Sequence, residues 1–162
     1  MGNKNYSFER ILVIKLDEIG DLVTALPVFY NIHNKYPEAK ITVLCKPFNA
    51  IFFKNIEYVN CIHDLDSNSR KYDLILDLRG NEQTLRYALS TRPYYRLDRG
   101  SIRFKNKLLG GQKNEIDTNL EVISPLIDEK MPTSNAIHLS PKETIKVDKF
   151  IEQEGLNEFV II

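Results

Sequence analysis

The sequence predicts an α/β fold, a parallel sheet with helices on both faces. Three observations predict it. Short apolar runs recur at residues 11–16, 40–45 and 73–78, the first rich in β-branched residues. They are too short for amphipathic helices and read as strands buried on both faces. Stretches with apolar residues at helical spacing separate and follow them, and turn-forming residues close each run. Strands that alternate with helices need crossover connections, and these cover both faces of a parallel sheet.

The elements follow in order. Residues 11–16 (ILVIKL) form the first strand, and Ile19-Gly20-Asp21 a turn. Leu22, Leu26, Phe29 and His33 then recur at helical spacing. Pro27 falls inside that pattern, so either the first turn is distorted or the regular helix starts near Pro27. Residues 40–45 (KITVLC) are a second strand, 58–63 (YVNCIH) a weaker third and 73–78 (DLILDL) a fourth. A helix is expected over 82–89 and a fifth strand over 94–97, after Pro93. Residues 100–113 show no clean period and contain Gly110-Gly111, which predicts a loop. Residues 114–127 carry Ile116, Leu120, Ile123 and Ile127, an amphipathic helix. Ser140, Pro141 and Glu143 spell a helix start, and Gly155 a helix stop. The final residues 159–162 (FVII) begin another buried-strand pattern, as the first strand of a further domain would.

Composition bounds the function. The 162 residues fit one domain, and the formal net charge is zero, which gives no global signature of nucleic-acid binding. Cys45 and Cys61 lie in apolar stretches without C-x-x-C spacing and read as buried, reduced thiols. His33, His63 and His138 lack the spacing of metal ligands. No apolar run reaches the roughly 18 residues of a membrane span, and the polar lead 1–10 lacks a signal-peptide core. A myristoylation signal wants Ser or Thr where Tyr6 stands. A cytoplasmic location is therefore expected. Charge is uneven, however: residues 79–113 hold nine Lys or Arg against Glu82 and Asp98, a local plus seven. Such a segment is either a solvated loop or an attractor of anionic lipid or saccharide. Aromatic residues are too sparse there for nucleic-acid stacking.

Two segments carry the candidate chemistry. Ligands of open parallel sheets bind beyond the carboxyl ends of the strands, so the loop after the first strand is well placed. Gly20 permits close approach of a substrate, and Asp21 at the head of the following helix is either a cap or a general base. The second segment, Asp77-Leu78-Arg79-Gly80-Asn81, again sets polar residues after a buried strand. It reads equally as a structural turn with a hydrogen-bonded Asp77 and as a substrate contact. Neither the dinucleotide fingerprint nor the P-loop pattern follows the first strand, so this chain carries no glycine-rich phosphate cradle there.

Residues 11–27 (ILVIKLDEIGDLVTALP) resemble the opening of glycosyltransferase family 9, the heptosyltransferases of lipopolysaccharide core assembly. Lys15, Gly20, Asp21 and Pro27 match the family's basic residue, Gly-Asp pair and proline; residues 40–47 resemble its second strand, and 72–80 its Tyr-Asp-apolar-Asp-Leu-x-Gly segment. The resemblance implies the N-terminal, Rossmann-like half of a GT-B fold, with an acceptor-binding domain over 11–140, a linking helix over 141–158, and at 159–162 the start of a C-terminal nucleotide-sugar domain. It implies inverting transfer of heptose from an ADP-heptose-type donor, held by that second domain, to an anionic lipid-linked saccharide. Asp21 would be the catalytic base, with Lys15, Gly20, Arg79, Gly80 and Asn81 binding substrate. Neither cofactor nor metal is implied. Peripheral contact with the inner membrane would follow from the acceptor, and the half-length chain is expected to be inactive alone. The alternatives are a non-catalytic binding remnant and an unrelated, receiver-like, doubly wound module. For the latter, Asp17, Glu18 and Asp77 mimic part of the acidic pattern.

Overall fold

Five strands pair into one parallel sheet. The computed structural model of the chain describes residues 6–64, 72–111, 113–133 and 137–156. The strands are β1 (Arg10–Lys15), β2 (Lys40–Cys45), β3 (Val59–Ile62), β4 (Leu74–Asp77) and β5 (Tyr95–Asp98), in the order β3-β2-β1-β4-β5. All four pairings are parallel. The central strand β1 is buried from Ile11 to Lys15. Side chains alternate across a sheet, so Ile11 and Val13 enter one apolar layer while Leu12 and Ile14 enter the other.

Helices cover both layers. On the Ile11 side lie α2 (Leu26–Lys35), through Phe29 and Ile32, and α5 (Glu115–Ile123), through Leu120 and Ile123. On the Leu12 side lies α3 (Glu82–Ser90), through Ala88, beside Tyr72. The α/β, Rossmann-like fold class is thus the one observed. The strand order also removes the receiver-like alternative: that architecture runs 2-1-3-4-5, whereas here β1 lies between β2 and β4.

The proline ambiguity resolves into two helices. A short α1 (Ile19–Val23) ends at Thr24, and α2 starts at Leu26 with Pro27 in its first turn, where a missing N–H costs nothing. Residues 100–113 depart from the loop expectation. Helix α4 (Arg99–Leu108) occupies most of them, capped by the Asp98 side chain, which accepts from Ser101 N at 2.8 Å. Its period is hard to see because only Arg99 is buried, with Gly100, Ile102 and Asn106 half-buried. Gly110, at φ +70°, supplies the left-handed turn after it. A 3-10 helix, Pro47–Phe53, which the sequence reading missed, follows β2.

Helix α6 (Pro141–Gln153) starts on the capping box read from the sequence, Ser140 with Glu143, and Gly155 follows at φ +63°. Asn55 ties its start to the body by donating to His138 O (2.8 Å) and Glu143 (3.0 Å). Packing also reaches back before residue 10: Phe8 is buried, and Tyr6 stacks near Tyr95 at 4.9 Å between ring centres. Residues 159–162, expected to open a second domain, lie outside the described residues.

Candidate active site

Parallel strands bring their carboxyl ends to one edge, and the order β3-β2-β1-β4-β5 reverses direction between β1 and β4. A crevice at that reversal is the usual ligand site of an open α/β sheet. Both chemistry-bearing segments flank it: residues 15–21 leave β1, and residues 77–81 leave β4.

Their charged side chains are cross-tied. Lys15, with no exposed surface, places Nζ 2.9 Å from Asp17 Oδ2. Burial disfavours its charged form and lowers its pKa; Asp17 works in the opposite direction. Arg79 bends back across the crevice, donating from Nη1 to Leu16 O at 2.8 Å and approaching Asp17 Oδ1 at 3.5 Å. Asp17 thereby joins both loops. Its main-chain oxygen also accepts from buried Asn49 at 2.9 Å, which links the 3-10 helix to the site.

Asp77 is fully buried, and Oδ1 accepts from Gly80 N (2.8 Å) and Arg79 N (3.2 Å). Burial raises its pKa, while those N–H groups pull the other way. The structural reading of Asp77 is therefore satisfied by this turn. Gly80 sits at φ +66°, and a Cβ there would meet Gly100 N at 2.4 Å, so the loops after β4 and β5 touch backbone to backbone. Asn81 caps α3, accepting from Thr84 N at 2.9 Å in a reciprocal capping box.

Arg99 was visible in the sequence only as one of nine cations. It is 2% exposed, donates to Leu78 O at 3.4 Å and pairs with Glu115 of α5. Burial lowers its pKa, with the Arg103 charge adding to that. The signal that could have found it is its position one residue after the fifth strand, at the same edge of the sheet. Asn119, also fully buried, holds the break between α1 and α2 by donating to Thr24 O at 3.2 Å.

Asp21 stands apart. Glu18, not Asp21, occupies the cap position of α1, and Asp21 is its third residue. The capping reading is overturned: among the described residues the Asp21 carboxylate has no hydrogen-bond or ion-pair partner, and only its main-chain oxygen is engaged, by Thr24 Oγ1 at 2.9 Å. It is partly exposed, and Lys15 and Arg99 lie close enough for their charges to act on it. Beside it Gly20 is exposed, with no atom within 4 Å of a Cβ position. A free carboxylate next to open space and two cations can accept a proton from a bound hydroxyl.

Next to the Gly80–Asn81 turn lies an open cleft of about 520 Å³ between the starts of α3 and α4, walled by Leu85, Arg96, Asp98, Ser101 and Phe104. The histidines take no part in the site: His33 stacks on Tyr58 at 3.8 Å, and His63 Nδ1 lies 3.1 Å from Cys45 O. Among the described residues no group of three or more His, Cys, Asp or Glu is placed to hold a metal ion.

No family model and no curated protein matches the sequence. Solved structures do match its fold. Glycosyltransferase family 9 from Veillonella parvula DSM 2008 superposes with a TM-score of 0.65 at 16% identity, covering 96% of this chain and 53% of that one. E. coli heptosyltransferase WaaC with ADP gives 0.59 at 16%, covering 79% and 51%. E. coli ADP-heptose lps heptosyltransferase II gives 0.57 at 16%, covering 92% and 51%. The chain spans about half the length of these structures. Identity this low establishes the fold alone: the α/β, Rossmann-like fold of about half of each of these solved structures, the fold that the resemblance of the opening residues implies.

Proposed function

We propose that this chain is the acceptor-binding half of an inverting glycosyltransferase that moves heptose from an ADP-heptose-type donor to an anionic, lipid-linked saccharide of the lipopolysaccharide core. The observation that carries the proposal is the Asp21 carboxylate at the switch point of the sheet, without a hydrogen-bond or ion-pair partner among the described residues. One matching structure, WaaC, holds ADP and another holds ADP-2-deoxy-2-fluoro heptose, which supports a nucleotide-sugar donor.

In this reading Asp21 takes the proton of the attacking acceptor hydroxyl. The hydroxyl oxygen forms its bond to the anomeric carbon, and the carbon–oxygen bond to the diphosphate breaks on the opposite side, its electron pair leaving with the diphosphate. Gly20 leaves room for the acceptor. The turn Arg79-Gly80-Asn81 forms the facing wall. Lys15, with no surface to offer, acts through Asp17 and through its charge near Asp21. The diphosphate is held by the half of the neighbours' length that these residues do not cover, since no phosphate cradle follows β1. The setting is the cytoplasm.

The test is Asp21→Asn in an active enzyme containing this half. It is expected to lower kcat by at least about 10²-fold with little change in KM. Full turnover by the variant would remove Asp21 as the base and leave a binding role alone. By calorimetry the isolated 162 residues should bind the acceptor saccharide but not ADP; micromolar ADP binding would overturn the division of labour.

A further inference from the structure

The structure revises the meaning of the basic segment. Of its nine cations, seven lie at ion-pair distance from a carboxylate, and the acids involved number five: Asp17, Glu82, Asp98, Glu115 and Glu121. Lys15 shares Asp17, so ten cations against five acids leave a local plus five. Three of the acids lie outside the segment, so the chain sequence overstated the free charge. What the sequence did not reveal is an apolar stripe within it. Phe104 is 71% exposed, Leu108 76% and Leu109 71%.

Helix α4 is amphipathic in an unusual sense. Its inner side, Arg99, Ile102 and Asn106, faces the body. At about 100° per residue, Phe104 and Leu108 fall together on the opposite side. Arg103 and Lys107 flank them on one edge and Lys105 on the other. Helix α4 contains no acidic residue. Between its end and α5 opens a cleft of about 360 Å³, bordered by Arg103, Asn106, Lys107, Gly111 and Lys113, with Glu115 as its acid. Apolar side chains on the outer face with cations at their edges are the pattern of a helix lying in a lipid interface.

We infer that the outer face of α4 docks on an anionic phospholipid bilayer, with Phe104 and Leu108 entering the acyl boundary and Arg103, Lys107 and Lys113 meeting lipid phosphates. Charge complementarity selects this occupant. A second copy related by two-fold symmetry would bring α4 onto its own copy, cation against cation. Three neighbouring apolar side chains also make a smaller patch than the roughly 800 Å² per partner of a stable protein interface. Among the described residues no helix is long and apolar enough to cross a membrane, so this contact is peripheral. Gly100 at the start of α4 touches the Gly80 turn, which puts the docking face beside the candidate site. The inference does not depend on glycosyl transfer, and its test needs no turnover.

The test is co-sedimentation of the chain with vesicles of phosphatidylcholine alone or with about one third phosphatidylglycerol. The chain should favour the anionic vesicles by about tenfold or more, and less so as salt rises from 0.1 M to 1 M and the Debye length falls from about 10 Å to about 3 Å. Phe104→Ser with Leu108→Ser should cut that partitioning by about tenfold or more; both side chains are exposed, and circular dichroism checks the fold. The chain has no tryptophan, so Phe104→Trp adds a single reporter whose emission should shift to the blue on anionic vesicles. Partitioning equal to the parent's in the double variant, or unshifted indole emission from the Phe104→Trp variant, overturns the inference. So does a lipid-free dimer that the double variant dissociates, which would make a second copy the occupant.

Discussion

Two glycines of the candidate site should respond oppositely to alanine. At Gly80 the backbone is left-handed (φ +66°), and a Cβ would lie 2.4 Å from Gly100 N, with Gly100 Cα at 3.0 Å. A left-handed residue with a Cβ costs about 1–2 kcal/mol, and forcing a methyl into a packed contact about 1–3 kcal/mol more. The contact is backbone to backbone, so no flexible side chain can move aside. Gly80→Ala should therefore lose about 2–5 kcal/mol, read as a lower urea midpoint with unchanged slope. At about 2–4 °C per kcal/mol for a domain of this size, the melting temperature should fall by roughly 4–20 °C. Gly20 has no positive φ and open space around it, within helix α1. Gly20→Ala should be neutral or stabilising by up to about 1 kcal/mol. If Gly80→Ala melts with the parent, the loops after β4 and β5 do not touch as described. If Gly20→Ala keeps its stability but loses acceptor affinity, Gly20 is there for a ligand's approach.

Two further outcomes follow from the hydrogen bonding. The Glu143 carboxyl is pulled down to about 2 by the Ser140 hydroxyl, then by Ser140 N–H and Asn55. A depressed folded pKa gives stability that is complete above the unfolded value near 4.3 and lost as pH falls through the folded one. The start of α6 should accordingly lose hydrogen-exchange protection between about pH 4 and pH 2, and Glu143→Gln should abolish that pH dependence; protection unchanged down to pH 2 would contradict the capping role. Among the thiols, partly exposed Cys61 should be alkylated well before buried Cys45. The hydrogen bond between them lowers Cys61, and the same bond together with burial raises Cys45. Equal rates by mass spectrometry would refute that asymmetry.

Local patterns were legible; non-local pairings were not. The strands β1, β2 and β4 announced themselves because a strand buried on both faces is a continuous apolar run, and the α6 start because a capping box is read within four residues. Helix α4 did not, since its fixed face is Arg99, Ile102 and Asn106, and only one of these is apolar. The plus-seven segment misled for a related reason. Glu115 and Glu121, which neutralise much of it, belong to α5. Within the site, the sequence pointed to Asp21 and to the 77–81 turn but not to Asn49, Arg99 or Asn119. Their roles exist only once the segments after β1, β2, β4 and β5 and helix α5 meet.

That meeting separates the supporting carboxylates from Asp21, which has no hydrogen-bond or ion-pair partner among the described residues. Lys15, Asp17, Asp77, Arg79 and Arg99 are all tied to another loop, a charge or the backbone, as groups at a buried edge must be. Among the described residues Asp21 makes no hydrogen bond or ion pair within that network, and its part in stability is limited to its charge near Lys15 and Arg99. The distinction is measurable without substrate. Asp77→Ala removes the acceptor of two backbone N–H groups and should cost about 1–3 kcal/mol or more, because both donors lose their partner. Asp21→Ala removes no hydrogen bond or ion pair made with the described residues and should stay within about 0.5 kcal/mol of the parent. If Asp21→Ala destabilises as much as Asp77→Ala, Asp21 is part of the scaffold and the proton acceptor must be sought elsewhere. If it does not, the lone carboxylate at the switch point is held ready for a ligand.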